Sequence, residues 1–131
     1  MEILIIINEK NDLVYKQSFP SCQKLDKIFM DLLVVSYGSI DILNNLLKST
    51  TANYLGCIDT FKDYKISALI YPSAYKCIFV HKQSKDIKKF MFDVYYLIKY
   101  MIIYEITDYS REIEGVEQNI INLYKKYYKL N

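Results

Sequence analysis

The segment Glu2–Asn8, EILIIIN, constrains the fold more than any other stretch of the chain. A short, β-branched, almost continuously apolar run leaves no face for water, so it predicts a strand covered on both sides. A sheet built around such a strand needs packing on each face. Asn8 to Asp12 supplies turn chemistry, and Leu13–Ser18 (LVYKQS) reads as a second strand, giving an N-terminal hairpin ended by Pro20.

From Ser21 the apolar period changes. Leu25, Ile28, Phe29, Leu32, Val35, Ser36, Ile40, Leu43, Leu46 and Leu47 recur at three and four and predict one helix face. Gly38 lies mid-helix, where glycine costs about 1 kcal/mol relative to alanine, so a bend or break is expected there. Three more strands follow at Asn53–Ile58, Tyr64–Tyr71 and Lys76–Lys82, separated by a loop at Asp59–Asp63 and a hairpin turn at Pro72-Ser73-Ala74. Ser84 reads as the N-cap of a second helix with Asp86 in its first turn. After a polar break at Thr107–Ser110, Ile113, Val116, Ile120, Tyr124 and Tyr127 describe a last amphipathic helix.

The order is therefore ββαβββαα, an α+β domain with one mainly antiparallel five-stranded sheet and helices on its faces. Longin and profilin-like folds share that order. A chain of 131 residues makes a single domain over 1–131, with one core burying roughly 65–70% of the unfolded surface. Hydrophobic residues at 52% and charged residues at 24% argue against disorder.

The stretch Phe90–Tyr109, FMFDVYYLIKYMIIYEITDY, resembles a membrane span in length only. Asp93, Lys99, Glu105 and Asp108 interrupt it, and ionised groups in hydrocarbon are costly. It reads instead as a core helix: Ile87, Phe90, Met91, Val94, Leu97, Ile98, Met101 and Ile102 share one face. Phe92, Tyr96 and Ile103 fall opposite, beside Lys85, Lys89 and Lys99. If left exposed, an aromatic patch rimmed by lysines has the anatomy of a protein interface.

Catalytic and ligand-binding patterns are weak throughout. Cys77 and His81 share a strand face but stand roughly 13 Å apart, too far for a nucleophile–base pair, and read as half-buried strand residues. Cys22, Cys57, Cys77 and His81 lack the close pairs of zinc sites. Asp59 and Asp63 read as loop and capping residues rather than paired acids. With Gly38, Gly56 and Gly115 as the three glycines, no phosphate-cradling loop can be written. No catalytic, cofactor or metal site is expected.

The run Lys125–Lys129, KKYYK, interleaves bases with aromatics as single-strand binders do. Tyr124 and Tyr127 fall on the apolar helix face, however, and the net charge of +2 gives no field for nucleic acid. Three cysteines, an odd number without paired spacing, and no signal-peptide-like stretch point to a reducing, cytoplasmic compartment.

The segments Tyr54-Leu55-Gly56, then Asp63-Tyr64-Lys65 and Ile78-Phe79-Val80, resemble the sedlin-like subunit of the transport protein particle (TRAPP) tethering complex at the same spacing. Ile58-Asp59-Thr60-Phe61 and the group Phe90, Asp93-Val94-Tyr95 and Leu97 are similar to segments of sedlin itself. The resemblance covers nearly the whole chain. It implies a longin fold, with one helix on one sheet face and the two C-terminal helices on the other. It also implies a non-catalytic subunit working with other small TRAPP subunits in ER-to-Golgi or Golgi vesicle transport, linked through the complex to a Rab-type GTPase. The chain would then sit at ER and Golgi membranes peripherally, without direct insertion.

Two segments depart from that family. Where the family carries an acidic Leu-Asp-Leu/Val-Val-Asp-Glu segment, this chain has Leu33-Val34-Val35-Ser36-Tyr37-Gly38. Where the family follows its second helix with Asn-Pro-Phe-Tyr, this chain has Tyr104-Glu105-Ile106-Thr107, so the second helix is expected to run on. Other readings of the same architecture are a small clathrin-adaptor or coatomer subunit, and a small profilin-like-fold enzyme. A longin SNARE fits less well, since no heptad region or anchor follows Asn131.

Overall fold

The computed structural model describes residues 1–20, 27–103 and 111–128, the side chains of 100–103 and 111–114 aside. Strands β1 (Glu2–Ile7), β2 (Leu13–Phe19), β3 (Tyr54–Phe61), β4 (Tyr64–Ile70) and β5 (Lys76–His81) form one sheet in the order β2-β1-β5-β4-β3. Every neighbouring pair is antiparallel. Helices α1 (Lys27–Leu47), α2 (Ile87–Ile103) and α3 (Arg111–Tyr127) complete the ββαβββαα order of a longin-type α+β fold.

All six residues of β1 are buried because its alternate side chains enter two different cores, one on each face of the sheet, where the chain length alone suggests one. Ile3, Ile5 and Ile7 join Ile66, Ile78 and Val80 under Leu32 and Leu43 of α1. Leu4 and Ile6 join Phe79, Leu69 and Tyr71 beneath Phe90, Met91, Val94 and Ile98 of α2 and Ile120 and Tyr124 of α3. In this second core Phe19 stacks on Tyr124 with ring centroids 4.2 Å apart, and Phe90 meets Phe79 at 5.1 Å. Such pairs contribute about 0.5–1.5 kcal/mol beyond the area they bury.

The first turn is organised by Asn8, whose Oδ1 accepts the amides of Lys10 and Asp12 at 2.9 Å. At the second hairpin the expected loop is shorter than the sequence suggests. Asp59, Thr60 and Phe61 belong to β3, with Asp59 opposite Ile66, and only Lys62 and Asp63 connect the strands. Lys62 takes φ 54°, as tight hairpin turns demand. Two register shifts interrupt the pairing of β3 with β4, one between Tyr54 and Gly56, where Gly56 takes φ 70°, and one between Cys57 and Asp59.

Helix α1 runs without interruption from Lys27 to Leu47, so Gly38 neither breaks nor divides it. Among the described residues nothing beyond the helix's own backbone and the two chain neighbours lies within 4 Å of the position a Cβ would occupy there, and the helix is held by the core residues on its other side. The expected start at Ser21, with Leu25, lies outside the described residues. On the inner face, Leu33 and Ser39 are buried in addition to the expected Leu32, Ser36 and Leu43, while Leu46 is exposed. Ser36 and Ser39 satisfy their hydroxyls on the carbonyls of Leu33 and Ser36, which allows them to be buried.

Helix α2 opens at Ile87, and the Asp86 carbonyl accepts the first helical amide from Phe90 at 2.9 Å. The cap position therefore falls on Asp86, with φ 56°, and not on Ser84. The expected inner residues Ile87, Phe90, Met91, Val94 and Ile98 are buried and Leu97 is half-buried; the side chains of Met101 and Ile102 lie outside the described set. In α3, Ile120 and Tyr124 are buried and Val116 and Tyr127 half-buried, with the side chain of Ile113 outside the described set. Tyr128, just past the helix, is buried too, its hydroxyl donating to the Lys85 carbonyl at 2.9 Å.

Candidate functional site

Cys77 is wholly buried, and burial pushes its thiol up to about 12. His81 is also fully buried rather than half-buried, stacked on Phe79, which separates it from Cys77 on the same strand face. Its Nδ1 faces the Gln83 carbonyl, so that nitrogen carries the proton, and Nε2 accepts from Ser67 Oγ at 2.8 Å. Burial is the main cause that holds the imidazole below its ordinary value. The charge of Lys65 adds to this, while the Gln83 carbonyl and Glu2 oppose it.

Ser67 and His81 face each other because Lys65 pairs with His81 in the β4–β5 register, placing Ser67 one diagonal step away. Sequence alone does not reveal this contact, which depends on strand register. A hydrolytic Ser–His pair uses a carboxylate to stabilise the imidazolium. Here Nδ1 meets a backbone carbonyl in the place a carboxylate takes in such a pair. Among the described residues no group of three or more His, Cys, Asp or Glu side chains converges to hold a metal ion.

Asp59 and Asp63 are structural neighbours of the β3–β4 hairpin. Asp59 Oδ1 accepts the Thr60 amide at 2.8 Å, and Asp63 pairs with Lys82 at 3.4 Å. Lys82 in turn lies over the ring of Tyr64, 4.9 Å from its centroid. In the KKYYK run the rings turn inward and Lys125 and Lys126 outward; Lys129 lies outside the described residues.

The outer side of α2 divides into two. Asp93 accepts the Tyr127 hydroxyl, and that bond, with smaller contributions from burial and the Asp93 charge, pushes the phenol up to about 12. This side is covered by α3. Phe92 and Tyr96 lie away from it: Tyr96 is 61% exposed with the Lys99 ammonium 5.6 Å from its ring centroid, while Phe92 is half-buried. Phe92 forms part of the wall of an open groove of about 650 Å³ between α2 and the β3–β4 end of the sheet. Tyr54, Lys65, Ser67 and His81 contribute from the strands, and Lys88 and Lys89 from the helix. The side chain of Ile103 lies outside the described set.

A second surface escaped the periodicity. Met30, Val34 and Tyr37 are exposed on the solvent side of α1 at 41%, 67% and 41%, next to exposed Gly38. Leu33–Gly38, which departs from the resembled family, thus lies partly on the outer surface. The other departing segment, Tyr104–Thr107, lies outside the described residues.

The model of the family described as Sedlin matches residues 6–126. The chain belongs to the sedlin family. Membership implies a TRAPP-like subunit acting in vesicle trafficking, assembled with other subunits. A search of curated proteins found no match. No helix among the described residues is long and apolar enough to cross a membrane.

Seen on the fold, the segments that resemble sedlin lie along β3, the β3–β4 turn, β4, β5 and α2. Gly56 supplies the positive φ of a bulge, Leu55 faces the α1 core and Tyr54 the α2 core. Tyr64 is buried at the start of β4, with Asp63 in the turn before it and Lys65 exposed after it. Asp93 joins α2 to α3 through Tyr127. Most of these sedlin-like positions therefore have a role in shaping the domain, and only Tyr54 and Lys65 reach the groove.

Proposed function

We propose that this sedlin-family chain is a non-catalytic interaction subunit of a TRAPP-like tethering complex in ER-to-Golgi or Golgi transport. It acts as one longin-type unit over residues 1–131. It is cytoplasmic, held at the membrane periphery by its neighbours, and linked to a Rab-type GTPase only through the complex. The observation that carries this reading is the family match over residues 6–126. The exposed apolar residues of α1 and the outer side of α2 supply surfaces for neighbours.

Affinity isolation at near-native abundance tests the proposal. It predicts recovery of the small subunits of a TRAPP-like complex. Recovery of large adaptor or coatomer chains in their place, or of no such subunits, overturns it. Replacing Tyr96 and Phe92 together by serine is expected to weaken that recovery with the fold retained.

A further inference from the structure

The groove beside α2 has a charge as well as a shape. Among the described residues its ionised lining groups are Lys65, Lys88 and Lys89 against Asp86, which is three positive charges less one negative, or a net +2. Among the described residues none of the three lysines forms an ion pair; the pair that is formed joins Lys82 to Asp63, outside the groove. Lys88 lies over Tyr54 with its ammonium 5.6 Å from the ring centroid, which keeps its charge at the groove mouth. Phe92 adds an apolar wall, and the neutral Ser67–His81 pair makes a polar floor that contributes no charge.

We propose that this groove docks an extended acidic segment of a protein partner, with an apolar side chain against Phe92 and carboxylates facing Lys65, Lys88 and Lys89. An extended segment fits because β3, one side of the groove, is an edge strand of the sheet and can receive backbone hydrogen bonds. A volume of about 650 Å³ lies within the range of sites that bury a ligand. A flat anionic bilayer fits less well, since the Ser67 and His81 floor is only 2% and 1% exposed and recessed from any plane. This inference rests on the chain being an interaction subunit. Its test uses the isolated full chain, so it can fail while co-purification of the subunits succeeds, and the reverse.

The probe is a short synthetic peptide of alternating glutamates around a central phenylalanine, titrated into the full chain while backbone amide shifts are recorded. Shifts concentrated at Lys65, Ser67, His81 and Lys88–Phe92 are expected, weakening as salt rises. The exposed double change Lys65→Glu/Lys89→Glu is expected to weaken binding about tenfold or more through charge reversal. Thermal unfolding checks that this variant folds, and Lys65→Gln/Lys89→Gln serves if it does not. Equal binding of a lysine-containing counterpart peptide would overturn the proposal, as would shifts confined to the Met30–Tyr37 side of α1. So would co-sedimentation with phosphatidylserine vesicles that depends on the same lysines, in the absence of peptide binding.

Discussion

The hydroxyl of Tyr124 in α3 donates to Glu2 Oε1 at the start of β1, joining residues 122 positions apart. The other carboxylate oxygen accepts the amides of Lys82 and Gln83, so one buried side chain ties β1, the β5–α2 loop and α3 together. An ionised carboxylate can only accept, and here three donors meet it. Glu2→Ala leaves all three without their partner and is expected to cost about 3 kcal/mol or more. Tyr124→Phe, which removes one donor, should cost about 1–2 kcal/mol. Denaturant unfolding of the single and double variants checks the link: the double should cost less than the two costs added, and simple additivity would count against it.

The Ser67–His81 pair predicts a pH dependence. His81 is the chain's single histidine, and its folded value is lowered, chiefly by burial. The unfolded imidazole therefore gains its proton first, near its ordinary value of about 6.5. Because the unfolded state binds more protons, stability is retained above that pH and falls progressively as pH drops below it, until the folded imidazole also titrates. Urea unfolding between neutral and mildly acid pH should show this decline. In His81→Gln the component between about pH 7 and 5.5 should disappear; its persistence would assign the decline to other groups.

How legible the fold was depended on the kind of residue pattern. EILIIIN reads as a doubly covered strand, and the turn residues at Asn8 to Asp12 and at Pro72-Ser73-Ala74 mark the N-terminal hairpin and the β4–β5 hairpin. The length of β3 was hidden because Asp59 and Thr60 are polar and exposed on an edge strand, where a strand and a loop look alike. In α1, apolar residues occur almost all round the helix. Periodicity therefore gave the inner face but passed over Val34 and Tyr37 on the outer one. The groove and the Ser67–His81 contact depend on strand register, which links residues 14 apart and leaves no local signal. The helical period places Phe92 on the outer side of α2, but the sheet edge that faces it leaves no signal in the sequence.

Phe90 and Tyr96 give a direct test of how α2 is divided. Phe90 is fully buried and touches Phe19, Phe79, Tyr124, Tyr127 and Tyr128. Phe90→Ala is expected to cost about 3–5 kcal/mol by loss of contacts and creation of a cavity. Tyr96, mostly exposed, should tolerate serine within about 0.5 kcal/mol. Thermal or denaturant unfolding of the two variants should separate them widely; a comparable loss at Tyr96 would mean that its ring supports the fold.

Gly38 and Gly56 should respond to alanine with opposite signs. Gly38 lies within α1, and among the described residues no atom beyond the helix's own backbone and the two chain neighbours comes within 4 Å of the added methyl, so the change relieves only the entropic cost of glycine in a helix. A gain of about 0.5–1 kcal/mol is expected. At Gly56 space is also adequate, the nearest atom being a Tyr54 ring carbon at 3.8 Å, but φ is 70°. The cost there is conformational: about 1–2 kcal/mol for holding an L-residue in the left-handed region. The loss should also loosen the β3 bulge that positions Tyr54 beside the groove. Unfolding free energies of the two variants decide the point, since a loss at Gly38 would show that the glycine is needed in α1 itself.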